Sequence, residues 1–376
     1  MNKGVGRGVW GVEKYFLTLY PIPYTLVMIL DQVIRVMILT SIAFVAALFI
    51  TPVWYRFLVK HKFGKQMREE ANAPVFYELH KKKAGTPTGA GVVIWGTVIG
   101  LAIIAGIFDK LFDGFWWHSL NFIDRAETYL PLAALLLTGL LGFLDDWFGI
   151  LHVGGGSGGG LKVRHKSVLY IIAAAAGAWW FYFRLGWDSI NVPFLGNFTI
   201  GWWYIPIFIF IVFASAFSAN ETDGLDGLLG GVSLFAFVAL TTVAFVLHRY
   251  NLAVLGGAMI GALLAFLWSN IYPAKFIMGD TGSMSLGITI GVIAMLTNTT
   301  LLLPFFMVIP VVESVSVIIQ LLSKKIRKKK IFRSTPIHHH FEALGWPESQ
   351  ITMRFWIISA IFSSLGLVIF FLSRAM

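Results

Sequence analysis

Residues 252–271 read LAVLGGAMIGALLAFLWSNI, twenty residues without a charged side chain. A helix of that length rises about 30 Å, the thickness of a bilayer's hydrocarbon core. Leu252–Ile271 therefore reads as a membrane span. Working outward, nine further apolar runs appear: Val33–Tyr55, Gly89–Phe108, Tyr129–Leu144, Ser167–Phe183, Trp203–Ala219, Gly230–His248, Met284–Thr299, Leu301–Leu322 and Phe355–Leu372. The expected fold is an all-α polytopic membrane protein of about ten transmembrane helices. It is read as one domain over 1–376, with the helix bundle at 33–372. Composition agrees, because 57% of residues are hydrophobic and only 13% charged, against about 25% charged in soluble domains. The chain has no cysteine, which excludes disulfides and cysteine-ligated metals.

The segments between the runs are also informative. Residues 15–32 are apolar but contain Pro21 and Pro23; 1–32 reads as an interfacial segment, and no small-residue cleavage site follows that would mark a signal peptide. In the loop Trp187–Trp202, Asn191, Pro193, Gly196 and Asn197 punctuate short strand-like pieces, which predicts a small hairpin. Gly154–Gly160, GGGSGGG, reads as a flexible linker. Ten spans put both termini on one side of the membrane. The loops 56–88, 145–166, 220–229, 272–283 and 323–354 hold 20 of the 29 Lys and Arg residues. The positive-inside rule places those loops in the cytoplasm, and both termini and the hairpin outside. The net charge of +10 is then topological and suits anionic lipid or nucleotide phosphate; no nucleic-acid role is needed to explain it.

Carboxylates near hydrocarbon are costly and mark function. Here they gather at the inward ends of three spans: Asp145 and Asp146 in GFLDDW, Asp223 and Asp226 in NETDGLDGL, and Asp280 in FIMGDTGS. Asp223 and Asp226, three apart, would share a face if helical. Asp145 and Asp146, adjacent, would point about 100° apart and so do different jobs. Five converging acids repel one another. A divalent cation relieves that, and an oxygen-only donor set favours Mg²⁺. The alternative for each acid alone is a helix cap or a solvated charge.

Two further inward motifs complete the equipment. Pro336–Glu342, PIHHHFE, carries His338, His339 and His340. Consecutive side chains diverge, so all three on one ion is disfavoured, and phosphate binding and orientation is the preferred reading. His80–Gly91, HKKKAGTPTGAG, places Lys83 and Thr86 in a Gly-Thr-Pro turn at a span entrance. The lysine run suits either phosphate binding or topogenesis. Lys162, Arg164 and Lys166 precede the fourth span and could also meet phosphates. Acids for Mg²⁺, bases for phosphates and adjacent lipid are what transfer of a sugar phosphate from a nucleotide to a lipid phosphate requires. A transporter is the rival reading, but transporters place ionisable residues at mid-membrane. Only Glu313, beside Pro310, lies deep in a span, where a structural or lipid-groove role is expected.

With HKKKAGTPT, GFLDDW, GLKVRHK, NETDGLDGL, FIMGDTGS, VVESVSVIIQ and PIHHHFE in this order, the chain resembles the polyprenyl-phosphate N-acetylhexosamine-1-phosphate transferase superfamily. Within it, the chain looks like the bacterial phospho-N-acetylmuramoyl-pentapeptide transferases. The resemblance implies ten helices around a cytoplasmic-face cleft in the bacterial inner membrane. It implies UDP-N-acetylmuramoyl-pentapeptide and undecaprenyl phosphate as substrates, lipid I and UMP as products, and a homodimer. It carries a Mg²⁺ ligand onto Asp280, and catalytic or substrate roles onto Asp145, Asp146, Asp223, Asn220, Lys83, Lys166 and His338. Asp226, Thr86, His339 and His340 are expected to bind substrate beside them. Two departures stand out. Thr88–Gly91 reads TGAG where the family reads TMGG. Ile277 stands where the family has a Phe that stacks on uracil, with Phe276 one place off. A sibling transferase using UDP-N-acetylglucosamine is the near alternative, against which PIHHHFE argues.

Overall fold

The computed structural model describes residues 24–64, 83, 85–124, 127–151 and 160–375. Most of the N-terminal segment, Lys81 and Lys82, and the glycine run up to Ser157–Gly159 lie outside the described residues.

The long helices coincide with the predicted spans. They are α1 (Tyr24–Lys60), α2 (Val92–Leu111), the short α3 (Phe115–Leu120), α4 (Tyr129–Ile150), α5 (Val163–Trp179), α6 (Tyr204–Thr222), α7 (Leu228–Val246), α8 (Tyr250–Asn270), α9 (Asp280–Leu296), the short α10 (Leu303–Phe306), α11 (Val308–Arg327), the short α12 (Ile337–Ala343) and α13 (Glu348–Ala375). Among the described residues eight helices are long and apolar enough to cross a membrane singly. Thr300–Phe306 and Val308–Arg327 form a further candidate span, bent by 89°; the predicted run Leu301–Leu322 is thus broken rather than straight. The tenth, α9, has only 17 residues.

One expectation shifts. Residues 24–32, read as interfacial, are the first turns of α1. The helix is described from Tyr24 on; Pro21 and Pro23 lie outside the described residues. The predicted hairpin is present as β1 (Ser189–Val192) paired antiparallel with β2 (Gly196–Thr199), Ile190 opposite Phe198.

The bundle is layered around α9, whose residues from Thr281 to Leu296 are all buried. Helices α4 and α6 flank it, while α8 packs on α1 and α7. The outer helices expose their apolar side chains instead, as with Phe49 and Val53 of α1 and Ile357 and Ile361 of α13. Apolar surface on this scale suits lipid, because without water there is no gain from hiding it. Asp280 therefore opens the most enclosed helix of the molecule.

Candidate active site at the amino-terminal end of helix α9

A helix begins with N–H groups that lack intrahelical partners. In α9 these are satisfied from another span: the Asp280 and Thr281 N–H groups donate to Asp146 Oδ1 and Oδ2, both at 3.1 Å. Gly279, immediately before, has φ 75° and ψ 179°, a conformation essentially reserved for glycine. A Cβ there would lie 2.4 Å from Asp146 Oδ2, so glycine is also demanded by the close approach of the capping carboxylate. Asp223 joins from the other side, its Oδ2 accepting the Gly279 N–H at 3.0 Å.

Asp145 faces away from Asp146, as adjacency on a helix requires. Its Oδ1 accepts the Leu161 N–H at 2.6 Å, and its Oδ2 lies 2.6 Å from the Lys166 ammonium. Lys166 is also paired with Asp280. The second Asp280 oxygen accepts from Asn220 Nδ2 at 2.6 Å, and that amide is 3.1 Å from Ser283 Oγ. Four sequence-predicted residues, Asp145, Lys166, Asn220 and Asp280, thus meet at one point from α4, α5, α6 and α9.

A second cluster lies beyond the turn that ends α6. Asp223 and Asp226 are not on a helix, as α6 stops at Thr222 and Gly227 is left-handed at φ 73°. The shared face expected of them is therefore absent, and they serve different partners. Asp226 Oδ1 pairs with Lys83 at 2.7 Å, and its Oδ2 accepts the Ala274 N–H at 3.0 Å. Glu348 takes both Lys83 and the Asp226 N–H at 2.5 Å. Burial acts to lower the Lys83 pKa, but Glu348 and Asp226 outweigh it and hold the ammonium above the ordinary lysine value. Thr86, half-buried, closes this turn by donating its N–H to the Lys83 carbonyl at 3.1 Å.

The three histidines diverge. His338 is fully buried with Nδ1 3.0 Å from Glu313 Oε2, which gives the deep glutamate of α11 its partner. Burial opposes charging His338, yet Glu313 raises its pKa overall. The ring abuts the α6–α7 turn, where a Cβ on Gly224 would meet Nε2 at 2.2 Å. His339 Nδ1 is 2.6 Å from Glu342. Burial pushes the Glu342 carboxyl up to about 7, against the charge of His338. His340 Nδ1 accepts the Arg333 N–H at 3.1 Å and its ring meets Phe332.

Phe276 and Ile277 are not drawn into the carboxylate cluster as side chains. Phe276 is 1% exposed and packs on Phe266 at 5.4 Å. Ile277 is buried and contributes its backbone to the 87–90 strand-like stretch. Among the described residues, no three His, Asp or Glu side chains are gathered as a metal cage. Mg²⁺ does not require one: it commonly takes one or two carboxylates and leaves the rest to substrate phosphate and water. Asp145 and Asp280, both turned on the Lys166 ammonium, are the two carboxylates that could meet such an ion.

Residues 129–298, from α4 through α9, match the family described as glycosyl transferase family 4. Over 338 residues the chain is 36% identical to the phospho-N-acetylmuramoyl-pentapeptide-transferase of Geobacillus thermodenitrificans, covering 89% of this chain and 97% of that protein. It is 33% identical over 340 residues to the protein of that name from Rubrobacter xylanophilus, covering 88% and 96%. A third such protein, from Clostridium perfringens, is 36% identical over 330 residues. The chain belongs to the phospho-N-acetylmuramoyl-pentapeptide-transferase family. For this transferase the structure adds residues that sequence reading passed over: Glu348, which locks Lys83 to Asp226; Ser283, beside Asn220; and Asn270, whose Oδ1 accepts the Gly227 N–H at 3.1 Å. Only Glu348 left a signal, as an acid in the first turn of α13 after a proline.

Proposed function

We propose that this chain transfers phospho-N-acetylmuramoyl-pentapeptide from its UDP-linked form to undecaprenyl phosphate, yielding lipid I and UMP. The observation that carries the reading is the meeting of Asp145, Lys166, Asn220 and Asp280 at one end of a lipid-exposed bundle. An oxygen of the lipid phosphate forms a bond to the sugar-bearing phosphorus of the UDP-sugar, and the bond from that phosphorus to the UMP oxygen breaks. One phosphoanhydride replaces another, so charge neutralisation matters more than strong acid–base catalysis. Lys166 supplies a fixed positive charge where phosphates converge. Asp145 orients the lipid phosphate and takes its proton where one remains. Asp280, with Asp145, would hold Mg²⁺, which when bound neutralises pyrophosphate charge. Asp146 acts through the backbone it caps. Direct attack is favoured over an aspartyl-phosphate, as the lipid phosphate is itself an adequate nucleophile.

The cleft is read as cytoplasmic, with both termini outside and a homodimer as the assembly. What supports the sidedness is the concentration of 20 Lys and Arg on the carboxylate side against 9 on the other.

The test is incubation of the purified protein with polyprenyl phosphate and either UDP-N-acetylmuramoyl-pentapeptide or UDP-N-acetylglucosamine, with Mg²⁺ or with chelator, reading UMP. Release only with the former sugar and only with Mg²⁺ is expected. Release with UDP-N-acetylglucosamine would assign the sibling activity, and release in chelator would remove the metal. Because the chain lacks cysteine, Ser334→Cys and Asn197→Cys report sidedness directly. The first should react with impermeant maleimide only from the cytoplasm, the second only from outside.

A further inference from the structure

At the opposite end of α9 from Asp280, about 25 Å away, the bundle encloses a cavity of about 370 Å³. It lies between the hairpin, the α7–α8 and α9–α10 connections and the end of α13. Its walls include Arg249, Arg374, Trp187, Asn191, Asn298 and Ser373, and no Asp or Glu lines it.

The two arginines are the unusual feature. Arg249 is half-buried over the Trp187 ring at 5.3 Å, and Arg374 stands over Phe370 at 5.5 Å. Neither guanidinium makes a hydrogen bond or ion pair with any described residue. Glu127 attracts Arg249 only from beyond contact distance and attracts Arg35 as well. A planar fork of donors matches phosphate oxygens in two-point contact. Helices α7, α9 and α13 all end here, and their carbonyl ends oppose an anion with about half a charge each. If the arginines only neutralised those ends, they would donate to terminal carbonyls, and neither does.

The surroundings indicate the source of the phosphate. Phe194 on the cavity wall is 50% exposed, and Trp202 and Trp203, in the turn that follows the hairpin, are 67% and 72% exposed. Exposed aromatics at a bundle end mark the level of lipid headgroups. We propose that this cavity binds the phosphate of an anionic lipid headgroup in the leaflet opposite the carboxylate cleft. Arg249 and Arg374 clamp the phosphate, Asn191 meets one of its oxygens with the amide hydrogen not given to Asn197, and the acyl chains leave across the exposed hairpin aromatics Phe194 and Phe198.

The test uses the full chain in detergent with native mass spectrometry, titrating phosphatidylglycerol, phosphatidylcholine or inorganic phosphate. The wild-type protein should hold one phosphatidylglycerol more tightly than any further copy, and should not hold phosphatidylcholine that way. Arg249→Gln and Arg374→Gln should each weaken that copy about tenfold, the scale of a lost charge-assisted contact, and Arg249→Lys should weaken it less. Equal retention by the wild type and the double variant would overturn the proposal. Competition by millimolar inorganic phosphate alone would make this a small-anion site and overturn the lipid assignment. Arg374 is exposed at a helix end, so its variant reads the site even where changes at Arg249 prevent folding.

Discussion

Two lysines in this molecule each bridge two carboxylates, and their settings differ. Lys166 lies between Asp145 and Asp280, which belong to two membrane-embedded helices packed side by side. Lys83 lies between Asp226 and Glu348, which belong to a turn and to the first residue of a helix. Around Lys83 the carboxylates have second tasks in holding backbone: Asp226 accepts Ala274 N–H and Glu348 accepts Asp226 N–H. Around Lys166, Asp145 likewise holds backbone through the Leu161 N–H and Asp146 caps α9, so it is Asp280 whose side chain binds only side chains. On the proposed function, the triad is a brace at Lys83, where both carboxylates are tied to backbone, and a charge centre open to exchange at Lys166 through Asp280, whose carboxylate is not. An incoming phosphate or cation would displace an ammonium contact at Lys166 without unpicking a turn.

The largest effect should come from Asp280→Asn and Asp145→Asn, which alter the exchangeable centre. Asp145→Asn should lower turnover about 100- to 10 000-fold, the usual contribution of a positioned acid–base group, and Asp280→Asn should abolish Mg²⁺-dependent turnover. UDP-sugar binding, measured by calorimetry, should survive Asp145→Asn, and its defect should lessen at high pH, where the lipid phosphate ionises unaided. Near-normal UMP release from Asp280→Asn would make the Lys166 triad a brace as well. Next comes Gly279→Ala, which forces a side chain into a glycine-only conformation against Asp146. It should destabilise the protein by about 1–3 kcal/mol, visible as a lower melting temperature, and should reduce turnover with it.

Glu348→Gln should act more mildly. It weakens the brace but leaves Asp226 on Lys83, so a loss in turnover under about tenfold is expected, accompanied by a lower melting temperature. A loss matching that of Asp145→Asn would move Lys83 from the brace to the chemistry. The smallest effect concerns pH. The Glu342 carboxyl is raised from 4.5 to about 7. A carboxyl raised on folding contributes stability that is full below pH 4.5 and lost as pH rises through about 7. His338, also raised, loses its contribution in the same direction, above pH 6.5. Melting temperature should therefore fall across this interval, and Glu342→Gln should flatten the fall. An unchanged slope would assign it elsewhere.

The sequence made the spans legible because hydrocarbon leaves one strong mark, a long uncharged run. It also made the acids legible, since a carboxylate at the end of such a run is costly unless used. The divergence of Asp145 from Asp146 followed from helical geometry, and the divergence of the three histidines from the same reasoning. What could not be read was the identity of each partner. That Asp146 caps a helix 134 residues away, or that Glu313 answers His338 across the α11–α12 connection, depends on which helices are neighbours. Residue spacing carries no trace of that. The reading of Asp223 and Asp226 as one face failed because it assumed the helix continued through Gly224 and Gly227, whereas the chain turns there. The bend near Met307 was hidden because both halves of the run are apolar.

The length of α9 bears on where two immiscible reactants can meet. Its 17 residues rise about 25 Å, less than the roughly 30 Å of hydrocarbon in a typical membrane. If its other end stands at the headgroups, as the proposed lipid site requires, Asp280 is recessed below the opposite surface. A water-soluble nucleotide sugar then needs to descend only a few ångströms into a polar dent, and the phosphate of a carrier dissolved in lipid needs only to rise to it. Neither partner has to leave its own solvent phase, and the shortness of one buried helix lowers a partition barrier that would otherwise be added to the chemical one.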